Sequence, residues 1–235
     1  MHSRGDQMRK PFDNDVLFET KDVYDYRYDN GVIYIDDFYK RPDEIYDFLM
    51  ARDYPLWKHN IERTDGRNGK DYFDCRIIDN IAFPTRMYFN DNERLLDICR
   101  KYWHKGKYEY QHAFEVNCFQ AKENFQNTIQ HYPHLDSELS APDEFATLNM
   151  LVYLDKEEDG GTAIYDGEWI TNDEQLNVLY PVGERFNIRQ VVEHKFNRCV
   201  IFPGNSMHGA FINDYSKYIG DKWRFTQVRF FHPIS

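Results

Sequence analysis

The stretch TLNMLVYLDKEEDGGTAIY, residues 147–165, is the strongest indication of the fold. Residues 147–154 form an apolar run rich in strand-forming side chains, and residues 155–161 are a charged segment that ends in two glycines. Residues 162–165 then begin a second apolar run. Since short strand-like runs separated by charged and glycine-rich turns are typical of all-β domains, this stretch predicts part of a β-sandwich or β-barrel.

The same pattern continues on both sides of this stretch. Further strand-like runs occupy residues 113–119, 198–202, 207–212 and 223–231. The segment 166–195 is longer than an ordinary strand connection, and loops of that length in compact domains tend to be functional or disordered. We therefore predict a mainly β core over about 111–235, interrupted by an insertion at 166–195.

The N-terminal part, about residues 1–110, predicts a supporting layer for that core. Residues 31–38 form an apolar strand, and Pro42 with two following acids opens a helix whose apolar residues recur at helical spacing. A second helix is predicted over residues 92–103. With 235 residues, the whole chain fits a single domain, 1–235.

Two histidines and one aspartate in the predicted core are candidate metal ligands. His134 and Asp136 lie two residues apart, so in an extended strand their side chains point to the same side and could converge on one ion. His208 lies in a later predicted strand. Two histidines and a carboxylate can bind Fe(II) on one face and leave the remaining positions open. A His-x-Asp pair alone is a short motif with a high false-positive rate, so the hypothesis depends on the strands around it.

Taken in order, these segments resemble the Fe(II)/2-oxoglutarate-dependent dioxygenases of the double-stranded β-helix, or jelly-roll, type. The resemblance runs from about residue 33 to the C-terminus. It is carried by the segments YPHLD (132–136), VYLD (152–155) with GGT (160–162), VIFPG (200–204) with His208-Gly209, and RFT (224–226). Members found in bacteria and their phages share the pattern FNRCVIF, here residues 196–202. The resemblance implies a cupin-like jelly-roll core with supporting N-terminal helices.

The resemblance also implies roles for individual residues. His134, Asp136 and His208 would hold Fe(II), and 2-oxoglutarate and O₂ would take the open positions. Such enzymes convert 2-oxoglutarate to succinate and CO₂ while they hydroxylate a substrate, and the carboxylate at Asp136 argues against a halogenase. Arg224 would bind the far carboxylate of 2-oxoglutarate through its fork of donors, and Thr226, two residues on, would add a hydroxyl.

One position departs from the family pattern. Phe119 stands where many members have a tyrosine that contacts the cosubstrate. Another donor would have to replace that tyrosine, and four polar residues remain equally open as candidates: Tyr132, Asn117, Gln120 and Asn149. In the 166–195 insertion, Trp169 and Arg185 could line a substrate pocket, or the aromatic residues there could simply anchor the loop. We weigh these two interpretations equally.

The composition indicates which kinds of partner the protein can bind and in which compartment it works. The formal net charge of −11 disfavours binding to nucleic acid or to an anionic membrane, so the expected substrate is a small molecule or a protein side chain. The four cysteines have no Cys-x-x-Cys spacing, which argues against zinc-ribbon and thioredoxin-like sites and favours a reducing cytoplasm. Residues 1–15 are polar, so we expect neither a signal peptide nor a transmembrane segment there.

Two other functional classes remain open at this point. A cupin-type metalloenzyme that works without 2-oxoglutarate would share the metal ligands but would not need Arg224 and Thr226. A non-catalytic binding or virion protein could keep the fold, although a decayed site should have lost at least one of its four expected side chains. All four are present. The sequence therefore favours an active dioxygenase of the hydroxylase type.

Overall fold

The computed structural model describes residues 17–51, 62–63, 73–78, 85–110, 115–121, 133–137, 142, 145–167, 178–179, 186–220 and 222–234. Three of the candidate site residues, Tyr132, Trp169 and Arg185, lie outside this part of the chain. The described strands are β1 (Tyr26–Asp29), β2 (Val32–Ile35), β3 (Glu62–Arg63), β4 (Phe73–Ile78), β5 (Lys107–Tyr110), β6 (Glu115–Ala121), β7 (Leu148–Tyr153), β8 (Gly161–Gly167), β9 (Val178–Leu179), β10 (Phe186–Glu193), β11 (Cys199–Pro203), β12 (His208–Phe211) and β13 (Arg224–Ile234). The helices are α1 (Pro42–Met50), α2 (Thr85–Cys99) and a 3₁₀ turn (Tyr215–Tyr218).

Two antiparallel sheets form the core. The major sheet has the order β1-β2-β11-β7-β13-β6-β4, with β5 also paired to β13, and the minor sheet has the order β10-β8-β12. An isolated bridge between His134 and His208 adds one more segment beside β12. From β7 onward the chain passes between the two sheets, because β7, β11 and β13 lie in the major sheet and β8, β10 and β12 in the minor one. Strand β9 pairs with β3 in a separate two-stranded parallel sheet. The predicted double-stranded β-helix is confirmed.

The two faces of the major sheet pack against different apolar clusters. On β13, Val228 packs with Leu151 and Tyr153 of β7 in the apolar cluster between the two sheets. Phe225 and Phe231 point the other way, into the larger cluster that the N-terminal helices cover. Since residues two apart share a face, Arg224 and Thr226 lie on the inner face with Val228.

The N-terminal segments extend and cover the major sheet. Helix α1 begins at the predicted Pro42, carries Asp43 and Glu44 in its first turn, and buries its apolar stripe. Helix α2 begins at Thr85 and ends at Cys99, whereas the sequence predicted residues 92–103. The predicted start was therefore seven residues too late and the predicted end four residues too far along the chain. Among the described residues, no helix is long and apolar enough to cross a membrane.

The predicted glycine turn joins the two sheets. Gly160 has φ +65°, and a Cβ atom there would lie 2.0 Å from the carbonyl oxygen of Phe211. Gly220 has a similar φ of +80° but open space around it. Both positions favour glycine, because residues with a Cβ atom rarely adopt a positive φ. Only Gly160 also lets two backbone segments approach each other.

We expect Gly160→Ala to lower the free energy of unfolding by about 3 kcal/mol or more, since it adds a steric clash to the cost of the left-handed conformation. Gly220→Ala is the matched control and should cost only about 1 kcal/mol, the conformational part alone. Urea denaturation of both variants measures the difference. Equal losses would show that the close approach at Gly160 contributes nothing.

Candidate active site

His134 and His208 are held opposite each other by their own backbones. The amide of His134 donates to the carbonyl of His208 at 2.8 Å, and the amide of His208 donates back at 3.0 Å. Residues that exchange both hydrogen bonds in an antiparallel pair present their side chains on the same face. The two imidazole centroids accordingly lie 4.3 Å apart.

Asp136 is placed by the turn that follows β11. Its amide donates to the carbonyl of Gly204 at 2.9 Å, and the amide of Gly204 donates to the carbonyl of Thr147 at 2.6 Å. A Cβ atom on Gly204 would lie 3.0 Å from that carbonyl oxygen and 3.3 Å from the Cβ of Asp136. A side chain at position 204 would therefore require the Thr147 carbonyl or the Asp136 segment to shift by a few tenths of an ångström.

The three side chains form a compact donor set. One ligand atom from each of His134, Asp136 and His208 lies within 4.8 Å of the others. Asp136 Oδ2 is 3.2 Å from His208 Nε2, and Asp136 Oδ1 is 3.9 Å from His134 Nε2. Atoms that bind one ion at right angles and about 2.1 Å lie about 3 Å apart, so small rotations bring this set to metal-binding distances.

The protonation states suit a metal as well. His208 Nδ1 lies 2.9 Å from the carbonyl oxygen of Ser206, which can only accept, so Nδ1 carries a proton and the ring is held with Nε2 towards Asp136. Burial alone would raise the pKa of Asp136, but the hydrogen bond and charge of His208, the charge of His134 and a hydrogen bond from Asn149 lower it to about 2. The carboxylate is therefore ionised well below neutral pH. Two imidazole nitrogens and one carboxylate are the donor set of non-haem Fe(II) sites.

Asn149 lies beside this donor set. Its Nδ2 donates to Asp136 Oδ2 at 2.6 Å and lies 3.3 Å from His208 Nε2. Its Oδ1 is buried without a hydrogen-bond partner among the described residues. Sequence reasoning left Asn149 as one of four equal candidates for a cosubstrate contact. The structure places its amide against a candidate metal ligand, where it orients the carboxylate.

We expect Asn149→Ala to weaken Fe(II) binding by about 10-fold to 100-fold, the usual effect of removing a group that orients a metal ligand. Isothermal titration with Fe(II) under anaerobic conditions measures the affinity. Asn187→Ala, a change at an exposed position on β10, is the control and should bind as the wild type does. Unchanged affinity in Asn149→Ala would mean that Asp136 is oriented without the amide.

Arg224 is a buried cation in the interior of the barrel, 5% exposed. Its Nη1 donates to Thr226 Oγ1 at 3.1 Å and its Nη2 to the carbonyl of Gly161 at 2.8 Å. Its Nε is buried without a partner, and within the described part of the chain no carboxylate lies within ion-pair distance of it. A buried charge without a counter-ion is costly, so this guanidinium is suited to an anion from outside the chain.

The other arginine on β13 has different surroundings. Arg229 Nη1 donates to Asn92 Oδ1 at 2.9 Å, and its Nη2 donates to Tyr39 Oη at 3.3 Å. These contacts lie under the N-terminal layer, on the face opposite Arg224. Arg229 therefore joins β13 to that layer and does not reach the barrel interior.

One inner surface connects the metal ligands to Arg224. Asn149 and Tyr153 lie four residues apart on β7, about 13 Å, with Leu151 between them on the same face. Asn149 touches Asp136, and the ring centroid of Tyr153 lies 5.9 Å from the guanidinium of Arg224. A small anion in this interval would have the metal ligands at one end and a cation at the other. Sequence reasoning assigned no role to Tyr153, Gly161, Gly204 or Ser206, although the first three lie in segments that carry the family resemblance.

Comparisons with known proteins give similarity to solved structures. No family model matches the chain, and no curated protein matches it. HygX from Streptomyces hygroscopicus, with nickel and 2-oxoglutarate bound, is 14% identical, with a TM-score of 0.49 over 86% of this chain and 83% of that chain. A Pseudomonas putida prolyl-4-hydroxylase is 12% identical, with a TM-score of 0.46 over 87% and 94%. The non-haem α-ketoglutarate-dependent epimerase SnoN from nogalamycin biosynthesis is 14% identical, with a TM-score of 0.47 over 86% and 77%. At these identities the similarity is one of fold.

Proposed function

We propose that the protein is an Fe(II)- and 2-oxoglutarate-dependent oxygenase of the hydroxylase type. The observation that carries this proposal is the pairing of His134, Asp136 and His208 with a buried Arg224 that has no carboxylate partner among the described residues. The first group suits Fe(II), and the second suits a small dianion that reaches the same interior.

Each residue has a separable task in this function. His134, Asp136 and His208 bind the iron on one face, and Asn149 holds the carboxylate in place. Arg224, steadied by Thr226 and the carbonyl of Gly161, binds the far carboxylate of 2-oxoglutarate and so fixes its orientation. When bound, iron and 2-oxoglutarate would supply the oxidising chemistry, which converts the substrate, 2-oxoglutarate and O₂ to the hydroxylated substrate, succinate and CO₂.

The apolar side chains between the two ends exclude water. Leu151, Ile164 and Val228 are buried in the cluster between the sheets. A dry interior strengthens the attraction between Arg224 and an anion and protects the reaction from side chemistry. The substrate would be a small molecule or a protein side chain that binds beside the metal ligands.

The alternatives leave features of the site unused. A cupin-type metalloenzyme without 2-oxoglutarate would use the three ligands but would leave Arg224 as a buried charge with no carboxylate partner among the described residues. A non-catalytic binding protein would need neither the three metal ligands nor Arg224. The buried free thiols of Cys99 and Cys199 support a reducing compartment, and we place the protein in the cytoplasm.

The test is an anaerobic titration of the apo-protein with Fe(II) and then with 2-oxoglutarate. We expect a weak visible charge-transfer band, because the cosubstrate chelates the iron, and slow release of succinate after O₂ is admitted. Iron binding without a band would support the cupin-type alternative. No iron binding would support the non-catalytic one.

A further inference from the structure

A cavity of about 930 Å³ opens at the end of the barrel that holds the metal ligands. Its wall comes from Ile164 to Asp166 in β8, Arg189 and Gln190 in β10, the Pro203–Met207 loop after β11, and the turn between β1 and β2. This volume lies within the roughly 300 to 1,000 Å³ of ligand-binding pockets. The cavity is therefore large enough for a small-molecule substrate.

The cavity adjoins the candidate iron site directly. Ile164 lies in its wall and is the strand partner of His208. Ser206, also in the wall, accepts the hydrogen bond from His208 Nδ1. A molecule in the cavity would lie next to the strand and turn that hold His208.

A β-bulge decides which side chains face this space. Ile188 pairs with Tyr165 and Gln190 pairs with Ile164, so Arg189 is an extra residue without a partner. Such an insertion turns the next residue to the other face of the sheet. Gln190 thus points between the sheets, where its Nε2 donates to Tyr34 Oη at 2.9 Å. Its Oε1 is buried and has no hydrogen-bond partner in the described part of the chain.

The two charged side chains described in the cavity wall form an ion pair with each other. Among the described residues its only charged side chains are Asp166 and Arg189, whose Oδ1 and Nη1 lie 3.5 Å apart. A phosphate or nucleotide would meet a single cation that already has a partner, so an anionic ligand is disfavoured. The remaining polar wall is uncharged and consists of amides and hydroxyls: Asn30, Gln190, Asn205, Ser206 and Tyr165. Burial raises the pKa of Tyr165 to about 12, so its hydroxyl stays protonated.

We infer that this cavity binds the primary substrate, that the substrate is an uncharged, hydroxyl-rich small molecule of the sugar or polyol class, and that Gln190 Oε1 accepts one of its hydroxyl groups. The assignment of a primary substrate rests on the proposed function. The ligand class does not, because it follows from the uncharged polar wall and from a buried acceptor that requires a donor.

The experiment measures binding rather than turnover. Saturation-transfer NMR is recorded on the full chain with Zn(II) and 2-oxoglutarate, using sucrose, methyl α-D-glucopyranoside and myo-inositol as polyol probes and L-arginine, L-glutamate and adenosine monophosphate as charged probes. We expect saturation of at least one polyol and of none of the charged probes. Gln190→Leu, which keeps the volume but removes the acceptor, should weaken polyol binding by roughly threefold to tenfold. Asn187→Leu on the same strand should not.

The outcomes separate this inference from the proposed function. Binding of a charged probe in place of the polyols, or equal binding in Gln190→Leu and the wild type, would overturn the ligand class. A normal charge-transfer band without polyol binding overturns the inference alone. Polyol binding without any band overturns the oxygenase and leaves the ligand class of the cavity intact.

Discussion

Asp136→Ala is expected to abolish succinate formation and to lower Fe(II) affinity by more than about 100-fold, beyond the effect of losing a group that only orients a ligand. The carboxylate is the one anionic member of the donor set, and its pKa of about 2 keeps it charged throughout the neutral range. Without it, two imidazoles remain to hold the ion. Calorimetric titration with Fe(II) and a succinate assay measure the two effects.

Two variants frame this result. Asp136→Glu keeps the charge but moves the oxygens by one methylene, so it should retain part of the metal affinity while activity falls. Asp97→Ala removes an exposed carboxylate on α2 that pairs with Arg100, and should change neither quantity. If Asp136→Ala bound iron as tightly as the wild type, the ion would have to be held elsewhere.

Arg224→Ala is expected to raise the dissociation constant of 2-oxoglutarate by about 100-fold or more, since removing one partner of a buried charged pair costs about 2 to 5 kcal/mol. Iron binding alone should be unchanged, because the described hydrogen bonds of the guanidinium go to Thr226 and Gly161 and not to the three ligands. The charge-transfer band reports cosubstrate binding, so its titration in the presence of saturating Fe(II) measures the effect.

Arg229→Gln is the matched control on the same strand. It removes a buried guanidinium from the opposite face, where it contacts Asn92 and Tyr39, and should lower stability without changing 2-oxoglutarate affinity. Arg224→Lys keeps the charge but loses the fork, so its affinity should fall between those of the wild type and Arg224→Ala. If Arg229→Gln lost as much 2-oxoglutarate affinity as Arg224→Ala, the loss would be due to a general effect on folding and not to a direct contact with Arg224.

Most strands of the core could be predicted because each carries its own signal. The exception is β10, Phe186–Glu193, which lies in the segment 166–195 that was predicted as an insertion and is a strand of the minor sheet. The run 147–154 contains β7, and the paired glycines 160–161 mark the turn into β8. Side-chain alternation also placed Arg224 and Thr226 on one face of β13 and Arg229 on the other. The turn after β11 was visible as Pro203-Gly204, but the close approach of Gly204 to Asp136 was not, because that contact joins segments far apart in the chain.

The site shows the same division between local and long-range information. His134 and His208 were chosen by motif and order, whereas the exchange of backbone hydrogen bonds that aligns them required the minor sheet. Asn149 carried no distinguishing signal, since its role depends on the neighbour it meets across the barrel. The β-bulge at Arg189 was equally hidden, because a bulge is a property of two paired strands and Gln190 changes face only when β8 is beside it.

The amino-acid sequence by itself determined most of the strands and turns of the core, the residue types that can bind iron and a carboxylate, and the face on which each residue of a regular predicted strand lies. These properties depend on neighbours within a few positions, where backbone geometry sets the side-chain period. Only the tertiary structure decided that Asn149 holds Asp136, that the described surroundings of Arg224 contain no carboxylate, and that Gln190 points into the cavity. Those facts depend on register and close packing between distant segments, which no local pattern encodes.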